Sequence, residues 1–475
     1  MYKKSVFLIL IFGLISIAKL QANSENKKAG TNSNHKVIIG NIYIFGNKIT
    51  KRYIILRELE FKKGDTLTIS NLKRKILVSK QNLLNRSLFN FVNIEYQKNK
   101  SSENKINIFI SVIERWYIWP IPILAYTDRN FNVWWETKSL AHLDYGINLK
   151  IDNFRGRMEK LRLKLQNGYN KSFELKWETP YINKEETWGF GFQAGVTINH
   201  ETDYALNDYK LLFYGNNIKY VKKNIFSKLF FTYRPKYRKL HRFSLIYNYF
   251  NYSDSLLVLN PDFAYGENQF SFLTFRYNFK LDYRDYAPYP LNGYYLELNF
   301  EKFGLNIFSK KVNLITAYIV YDRYIHLKKN WYFAYNLTSK IVPNNYRPYF
   351  LQRGIGFSPM VLRGYELLVI NGMWTGIIKS NLKYKLISRK TVRIPFINSE
   401  KFGILFYAVY ANLIFDGGYV YNPNKKTINY LNNKFLYGTG AGIDFVTYYD
   451  TVIRFEYLIN SEKQTHFFIS LVAPI

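Results

Sequence analysis

The 475-residue chain has no cysteine. That excludes disulfides, cysteine-ligated metals, a thiol nucleophile and a lipid-bearing cysteine. Histidine is scarce: His35, His142, His200, His241, His326 and His466 are scattered, with no metal-ligand spacing. There is no G-x-S-x-G and no Ser/His pair at a suggestive spacing, so no enzyme, catalytic residue, metal or cofactor is expected. Acidic residues are few, with 34 Asp and Glu against 67 Lys and Arg, a formal charge of +33. An excess of this size suits a binder of nucleic acid or anionic lipid. Here the lysines are spread along the whole chain beside abundant Asn, Ile and Tyr, as an AT-biased genome produces, so no nucleic-acid partner is expected. Part of the excess remains available to lipopolysaccharide phosphates or to a lumen. Beyond Ala22 no apolar run reaches the roughly 18 residues that a spanning helix needs. The longest candidate, Phe402 to Phe415, is shorter and interrupted by Asn412.

Aromatic residues, by contrast, are plentiful: 43 Tyr, 38 Phe and 8 Trp, 19% of the chain. Tyr and Trp collect where apolar meets wet, as in the girdles of membrane barrels. Mean hydropathy is only −0.23. Strands that alternate lipid-facing apolar with lumen-facing polar residues give this combination.

At the N-terminus Lys3 and Lys4 precede an apolar stretch from Val6 to Ala18, and Leu20-Gln21-Ala22 ends in a small residue. This pattern predicts a signal peptide over 1–22, cleaved after Ala22. Residues 23–36 are polar and read as a disordered linker.

From 37 to 115 the periodicity predicts a small α+β domain. Val37 to Phe45 alternates as a strand and Gly46-Asn47 follows as a turn. Thr50 is placed to cap a short helix with Ile54, Ile55 and Leu59 on its apolar side. Gly64-Asp65 breaks it. Ser70 is placed to cap a longer helix carrying Leu72, Ile76, Leu83, Leu84 and Leu88. Strands over Phe89 to Tyr96 and Lys105 to Glu114 complete a β-α-α-β-β order. That order, with Gly46-Asn47, Arg57-Glu58-Leu59, Gly64-Asp65 and Leu88-Phe89, resembles a POTRA (polypeptide-transport-associated) domain. The resemblance implies a periplasmic position before an outer-membrane barrel, and binding of client or partner segments by strand addition to a sheet edge.

Residues 116–475 show recurrent dyad alternation. Leu273, Phe275, Tyr277, Phe279 and Leu281 alternate with Thr274, Arg276, Asn278, Lys280 and Asp282. The same pattern holds for Leu161/Leu163/Leu165, Phe173/Leu175/Trp177, Leu296/Leu298/Phe300 and Trp331/Phe333/Tyr335/Leu337. The outer face of a soluble sandwich would not repeatedly set charges opposite large aromatics. In a bilayer every backbone amide must be paired, so such strands close into a barrel. At roughly 22 residues per strand and turn the segment predicts about 16 antiparallel strands, within a range of roughly 14 to 18.

Four local motifs resemble the BamA/TamA superfamily (bacterial surface antigen proteins), which also contains the two-partner-secretion translocators. Val361-Leu362-Arg363-Gly364-Tyr365-Glu366, after Gly354, Gly356 and Pro359, is similar to the tip of a long loop that folds back into the lumen. Leu362 stands at the family's usual Val. Phe415-Asp416-Gly417-Gly418 resembles the wall element facing that tip. Asp282-Tyr283-Arg284-Asp285 with Pro290-Leu291-Asn292-Gly293-Tyr294 resembles a D-x-R-D…P-x-x-G hairpin. Arg454-Phe455-Glu456-Tyr457 and Phe467 to Ile475 form the closing strands.

A guanidinium inside a barrel needs a carboxylate, and a planar fork suits one. Arg363 is therefore expected to bond Asp416, with Gly364 and Tyr365 completing a loop–wall lock. Family members commonly end in Phe, whereas this chain ends in Ile475, on the face of Phe467, Ile469, Leu471 and Ala473. Pro120 and Pro122 fall in the first strand, expected from Trp119, and Pro474 falls at the end of the last, so the seam between them is expected to pair weakly. In the family that seam is the proposed lateral gate.

The resemblance implies assembly, insertion or translocation of other proteins at the outer membrane, with outer-membrane lipid, unfolded outer-membrane or secreted clients and accessory lipoproteins as partners. The alternative is a porin-like channel for small solutes. Gly438-Thr439-Gly440-Ala441-Gly442 is not a nucleotide loop; a tight strand turn or close barrel packing is expected there.

Overall fold

The computed structural model describes residues 36–99, 102–126, 143–309, 311–343, 348–352, 354–357, 359–366, 368–399, 401–423, 429–447 and 449–471. The expected signal peptide, the linker up to residue 35, and Ala473, Pro474 and Ile475 lie outside the described residues.

The first unit is a four-stranded sheet with two helices on one face. Its strands are β1 (Lys36–Phe45), β2 (Thr66–Thr68), β3 (Phe89–Asn99) and β4 (Ser102–Glu114), in the order β2-β1-β4-β3. β1 and β4 run parallel through the middle; the flanking pairs are antiparallel. Alternate positions Ile106, Ile108, Ile110 and Val112 of β4 join Val37, Ile39, Val92 and Ile94 under the helices, where Ile54, Ile55, Leu72 and Leu83 close the core. Gly46 ends β1 at φ +84, and a Cβ there would lie 2.0 Å from the Val112 carbonyl oxygen, so the turn requires glycine.

Several local expectations are corrected. The short strand β2, absent from the β-α-α-β-β reading, pairs with the start of β1; three residues are too few for a periodicity signal. The first helix covers only Arg52–Leu56, with Lys51 at its N-cap and no side-chain cap. Thr50 instead turns inward, where its N–H donates to the Glu114 carboxylate at 2.6 Å and its hydroxyl meets Tyr117 at 3.2 Å. Leu59 packs in the core beyond the helix end. The second helix, Ile69–Leu84, is capped by Thr68, whose hydroxyl accepts the Asn71 N–H at 3.3 Å, not by Ser70. Both hydroxyls are capping types two residues apart, and the extended ψ of 151° at Thr68 decides between them. Leu88 lies past the helix and still joins the core.

The second unit is a sixteen-stranded antiparallel sheet forming a β-barrel. Its strands are β5 (Ile118–Tyr126), β6 (Leu143–Phe154), β7 (Glu159–Gly168), β8 (Lys171–Thr179), β9 (Trp188–Asn199), β12 (Lys222–Lys236), β13 (Lys239–Tyr252), β14 (Gln269–Asp282), β15 (Gly293–Phe308), β16 (Leu314–Lys328), β17 (Trp331–Ile341), β18 (Trp374–Arg393), β19 (Ile404–Tyr421), β20 (Phe435–Thr447), β21 (Val452–Asn460) and β22 (Thr465–Leu471). Each pairs with its neighbour in sequence, except that β9 pairs with β12 across an inserted hairpin, β10 (Glu201–Asn207) and β11 (Lys210–Gly215).

The pleat sorts side chains as the alternation requires. Leu229, Phe231, Phe243, Leu245, Phe275 and Leu298 are apolar yet exposed, on the outward face. Ser244, Thr274, Asn278, Asn299, Asn336 and Asn412 are polar yet buried, on the inward face. A soluble protein reverses this, so the outward face is built for lipid.

At one rim, Trp116 donates its backbone N–H to the Tyr449 hydroxyl at 3.1 Å, and Trp119 meets the Tyr449 ring edge-on at 5.2 Å. This brings the start of β5 beside the β20–β21 turn and closes the circuit. No ladder between β5 and β22 is present among the described residues. β5 is laddered to β6 along its whole length, Pro120 opposite Leu149 and Pro122 opposite Ile147. Alternate residues direct their N–H to the same edge, so the two donors missing at Pro120 and Pro122 are missing from the seam edge.

Candidate functional site

The loop between β17 and β18 turns back into the barrel, and its tip carries Arg363. The Arg363 side chain is bidentate on Asp416 of β19, Nε to Oδ2 at 2.8 Å and Nη2 to Oδ1 at 2.5 Å. Its Nη1 reaches Glu456 of β21 at 3.4 Å, and its Nη2 also donates to the Ser380 carbonyl of β18 at 3.3 Å. The pair is nearly sealed, at 7% exposure for Arg363 and 0% for Asp416. A second ion pair continues along the wall: Arg454 Nε lies 2.8 Å from Asp444, which also accepts from the Tyr289 hydroxyl at 2.8 Å.

Small residues let the loop approach this closely. Gly364 has φ +86, a left-handed conformation costly for other residues. A Cβ on Gly438 would stand 2.0 Å from the Arg363 carbonyl oxygen, and one on Gly418 2.9 Å from Leu362. The glycines of 438–442 thus lie within β20, and Gly438 serves close packing, not a turn. Tyr365 is 1% exposed; its hydroxyl meets Ser461 at 2.5 Å, while Asn460 donates to the Gly364 carbonyl at 2.8 Å.

The D-x-R-D hairpin forms a separate unit at the opposite end of the barrel. Arg284 is bidentate on Asp282, at 2.8 and 2.6 Å. Asp285 accepts the backbone N–H groups of Tyr286 and Leu291, at 2.9 and 3.1 Å, which closes the turn. Gly293 has φ +107, with a would-be Cβ 2.1 Å from the Tyr283 carbonyl oxygen. This hairpin holds the POTRA-like unit: Asn85 donates to the Arg284 carbonyl and accepts the Ala287 N–H.

That contact is one of many. The small domain sits across the barrel mouth. Besides β14–β15 it bonds the β6–β7 turn (Lys51 N–H to Gly156 O, 2.9 Å), β8–β9 (Arg57 to Glu186 O, 3.1 Å) and β12–β13 (Tyr237 hydroxyl to Leu59 O, 2.6 Å). It also reaches β18–β19 (Asn90 to Lys401 O, 3.1 Å) and β20–β21 (Ser87 to Asp450, 2.9 Å).

Two ion pairs, one buried and one partly buried, anchor it. Arg234 of β12 is bidentate on Glu58, at 2.6 and 2.8 Å, and also bonds the Tyr181 hydroxyl at 2.6 Å. Arg115 is bidentate on Asp450, at 2.7 and 2.8 Å. Burial alone would raise the Glu58 carboxyl, but Arg234, Arg86 and Arg57 outweigh it and hold the group at about 2. Arg86 is 3.6 Å from Glu58, yet burial and the adjacent Arg234 work against its charge, so Arg234 is the principal partner. At Asp450 burial is likewise outweighed by Arg115, and the carboxyl lies below its ordinary value.

At the opposite mouth the hairpin β10–β11 folds over the loop. The Val369 N–H donates to the Tyr209 carbonyl at 3.1 Å, and the Tyr349 hydroxyl to the Ala205 carbonyl at 3.0 Å. A cluster around Tyr252, Leu256, Phe263 and Phe272 supports it.

The structure thus brings Arg363, Gly364, Tyr365 and Asp416 together. Asp282, Arg284, Asp285 and Gly293 form their own hairpin, and Pro120, Pro122, Phe467, Ile469 and Leu471 lie on the two strands flanking the seam. Sequence reasoning missed Glu456 as a third member of the lock, although Arg454 and Glu456, two apart on one strand, had to share a face. It also missed Glu58–Arg234 and Arg115–Asp450, which lie far apart in sequence.

The family model described as POTRA, surface antigen variable number repeat, matches residues 37–115. No curated protein matches the chain in sequence. Among solved structures, CdiB from Escherichia coli superposes with a TM-score of 0.55 at 12% identity, over 92% of this chain and 74% of that one. BamA from Haemophilus ducreyi lacking POTRA domains 1–3 superposes with a TM-score of 0.48 at 13% identity, over 94% and 84%. The fold is therefore that of a POTRA domain followed by a sixteen-stranded β-barrel. The chain carries a POTRA domain over 37–115 and is similar in fold to CdiB.

Proposed function

We propose that this protein inserts or translocates other proteins at the bacterial outer membrane, with its POTRA domain in the periplasm and unfolded outer-membrane or secreted chains as clients. The observation that carries this reading is a barrel blocked along its own axis. The loop tip is pinned to the lumen wall by Arg363 and Asp416, and the POTRA domain is pinned across the mouth by Glu58–Arg234 and Arg115–Asp450. A solute channel gains nothing from two plugs. A protein-handling barrel can work through its wall, and the seam between β5 and β22 supplies strand edges that template an incoming strand. Burial of the client in lipid then drives the exchange without nucleotide or cofactor. Accessory lipoproteins fit this role as partners of the POTRA surface.

Depletion of the protein followed by quantitation of every other outer-membrane barrel tests the proposal. Broad loss would mark a general assembly factor, and loss of one or a few proteins a dedicated translocator. No loss, with single-channel conductance of the purified barrel, would establish the porin-like alternative. A disulfide engineered across the seam should abolish activity; unchanged activity would rule out the seam as the route.

A further inference from the structure

Between the POTRA helix Ile69–Leu84 and the β12–β13 turn lies an open cleft of about 620 Å³. Arg74 and Lys75 line it from the helix; Lys236, Arg238 and Lys239 line it from the barrel. Arg57 also faces it, but that guanidinium is already engaged by the Glu186 and Arg234 carbonyls, at 3.1 and 3.0 Å. Against these cations the lining has one carboxylate, that of Glu60. Among the described residues none of the other five is within ion-pairing distance of a carboxylate. Arg74 donates to the Asn71 side chain at 3.0 Å, and Lys75 to the Glu60 backbone carbonyl at 2.8 Å. Five cations thus line one cleft with a single carboxylate among them, a local excess of positive charge that attracts an anion.

The position of the cleft selects the anion. Its wall includes Tyr283, which continues the outward row Phe275, Tyr277, Phe279 and Leu281 of β14 past the end of the strand. Tyr283 stacks on Tyr294 at 4.9 Å and carries the Arg238 guanidinium over its ring at 4.7 Å. Tyrosines at the end of a lipid-facing row mark the height at which acyl chains give way to headgroups. The cleft opens at that height on the POTRA side.

We propose that the cleft binds the phosphate of an anionic glycerophospholipid from the periplasmic leaflet, and that this lipid bridges the POTRA helix to the barrel rim. The assignment rests on the reading of the barrel as membrane-embedded.

The full chain, refolded into nanodiscs of phosphatidylcholine with increasing phosphatidylglycerol, is compared with R74Q/R238Q/K239Q and with a control of equal charge loss elsewhere on the POTRA surface, K62Q/K63Q/K105Q. Native mass spectrometry counts retained phosphatidylglycerol, and heat-modifiable gel mobility reports barrel folding. At roughly five-fold per cation near an anionic surface, the triple variant should lose on the order of a hundred-fold in retention, while the control keeps it. Equal retention by the two variants would overturn the proposal. So would displacement of the lipid by millimolar inorganic phosphate, which would assign the cleft to a soluble anion. Failure of the wild type to insert into neutral nanodiscs would overturn the membrane reading and this proposal together. Insertion without phosphatidylglycerol preference would overturn the cleft alone.

Discussion

The POTRA domain and the barrel bury opposite kinds of side chain. In the first, Ile55, Leu72, Ile108 and Ile110 have no exposure to speak of, and the buried charges Glu58, Glu114 and Arg115 lie toward the barrel. In the second, Asp416, Asp444 and Asn336 are among the buried residues, and Phe231, Leu245 and Leu298 stand outside. One strand chemistry serves both, because a period of two sorts side chains onto two faces without specifying which face meets water. What differs is how the inside is satisfied. The POTRA core is held by non-directional apolar burial, the lumen by paired charges and hydrogen bonds. At the junction the second method is applied between domains, with Glu58 on one and Arg234 on the other.

The contrast can be broken from either side. The largest effect is expected in the apolar core. Ile108→Asp puts an unpaired charge at a position with 0% exposure and should cost about 5 kcal/mol or more, enough to unfold a domain of this size. Limited proteolysis should clip residues 37–115 while the barrel keeps its heat-modifiable mobility.

Next, Asp416→Ala strands Arg363 in the lumen and should cost about 3–5 kcal/mol. A lower thermal midpoint of the barrel, with new protease access to the loop from outside, would register it. An unchanged midpoint would mean that Glu456 and Ser380 suffice to hold the arginine.

On the outward face Leu245→Arg, near the middle of β13, should cost about 2–4 kcal/mol in a bilayer. Titrated as folding efficiency into vesicles, it should be far milder in detergent; equal effects in both would refute the lipid-facing assignment.

The smallest effect belongs to the junction and depends on pH. The Glu58 carboxyl, held at about 2 against an ordinary 4.5, contributes docking stability that is present above its undocked value. That contribution is lost as the pH falls from the undocked value, itself below 4.5, toward about 2. Part of the shift comes from Arg86 and Arg57 of the same domain and survives undocking, so the share lost is about 2 kcal/mol. Because the chain has no native cysteine, spin labels at K73C and K329C can follow the POTRA-to-rim distance. It should broaden over that pH window, and Glu58→Gln should reduce the pH dependence to the part that Asp450 contributes.

The sequence by itself determined the two units, the outward and inward faces, and the strand number to within about 14 to 18. Those follow from periodicity and length, which are local and additive. It also singled out Arg363 and Asp416, through motifs that resemble a lumen-folded loop tip and its facing wall element, and a guanidinium inside a barrel needs a carboxylate. The partners across the junction were decided only by the tertiary structure. Glu58 and Arg234 are separated by 176 residues, and Arg115 and Asp450 by 335, and no local pattern marks one for the other. The same limit applies to Thr68 and Ser70, where two equivalent caps were separated by one ψ angle, and to Gly438, which stands open between a strand turn and close packing until the Arg363 carbonyl is set against it. Proximity across a closed barrel depends on the curvature of the whole sheet, and the basic cleft exists only once the POTRA helix has been laid beside the β12–β13 turn.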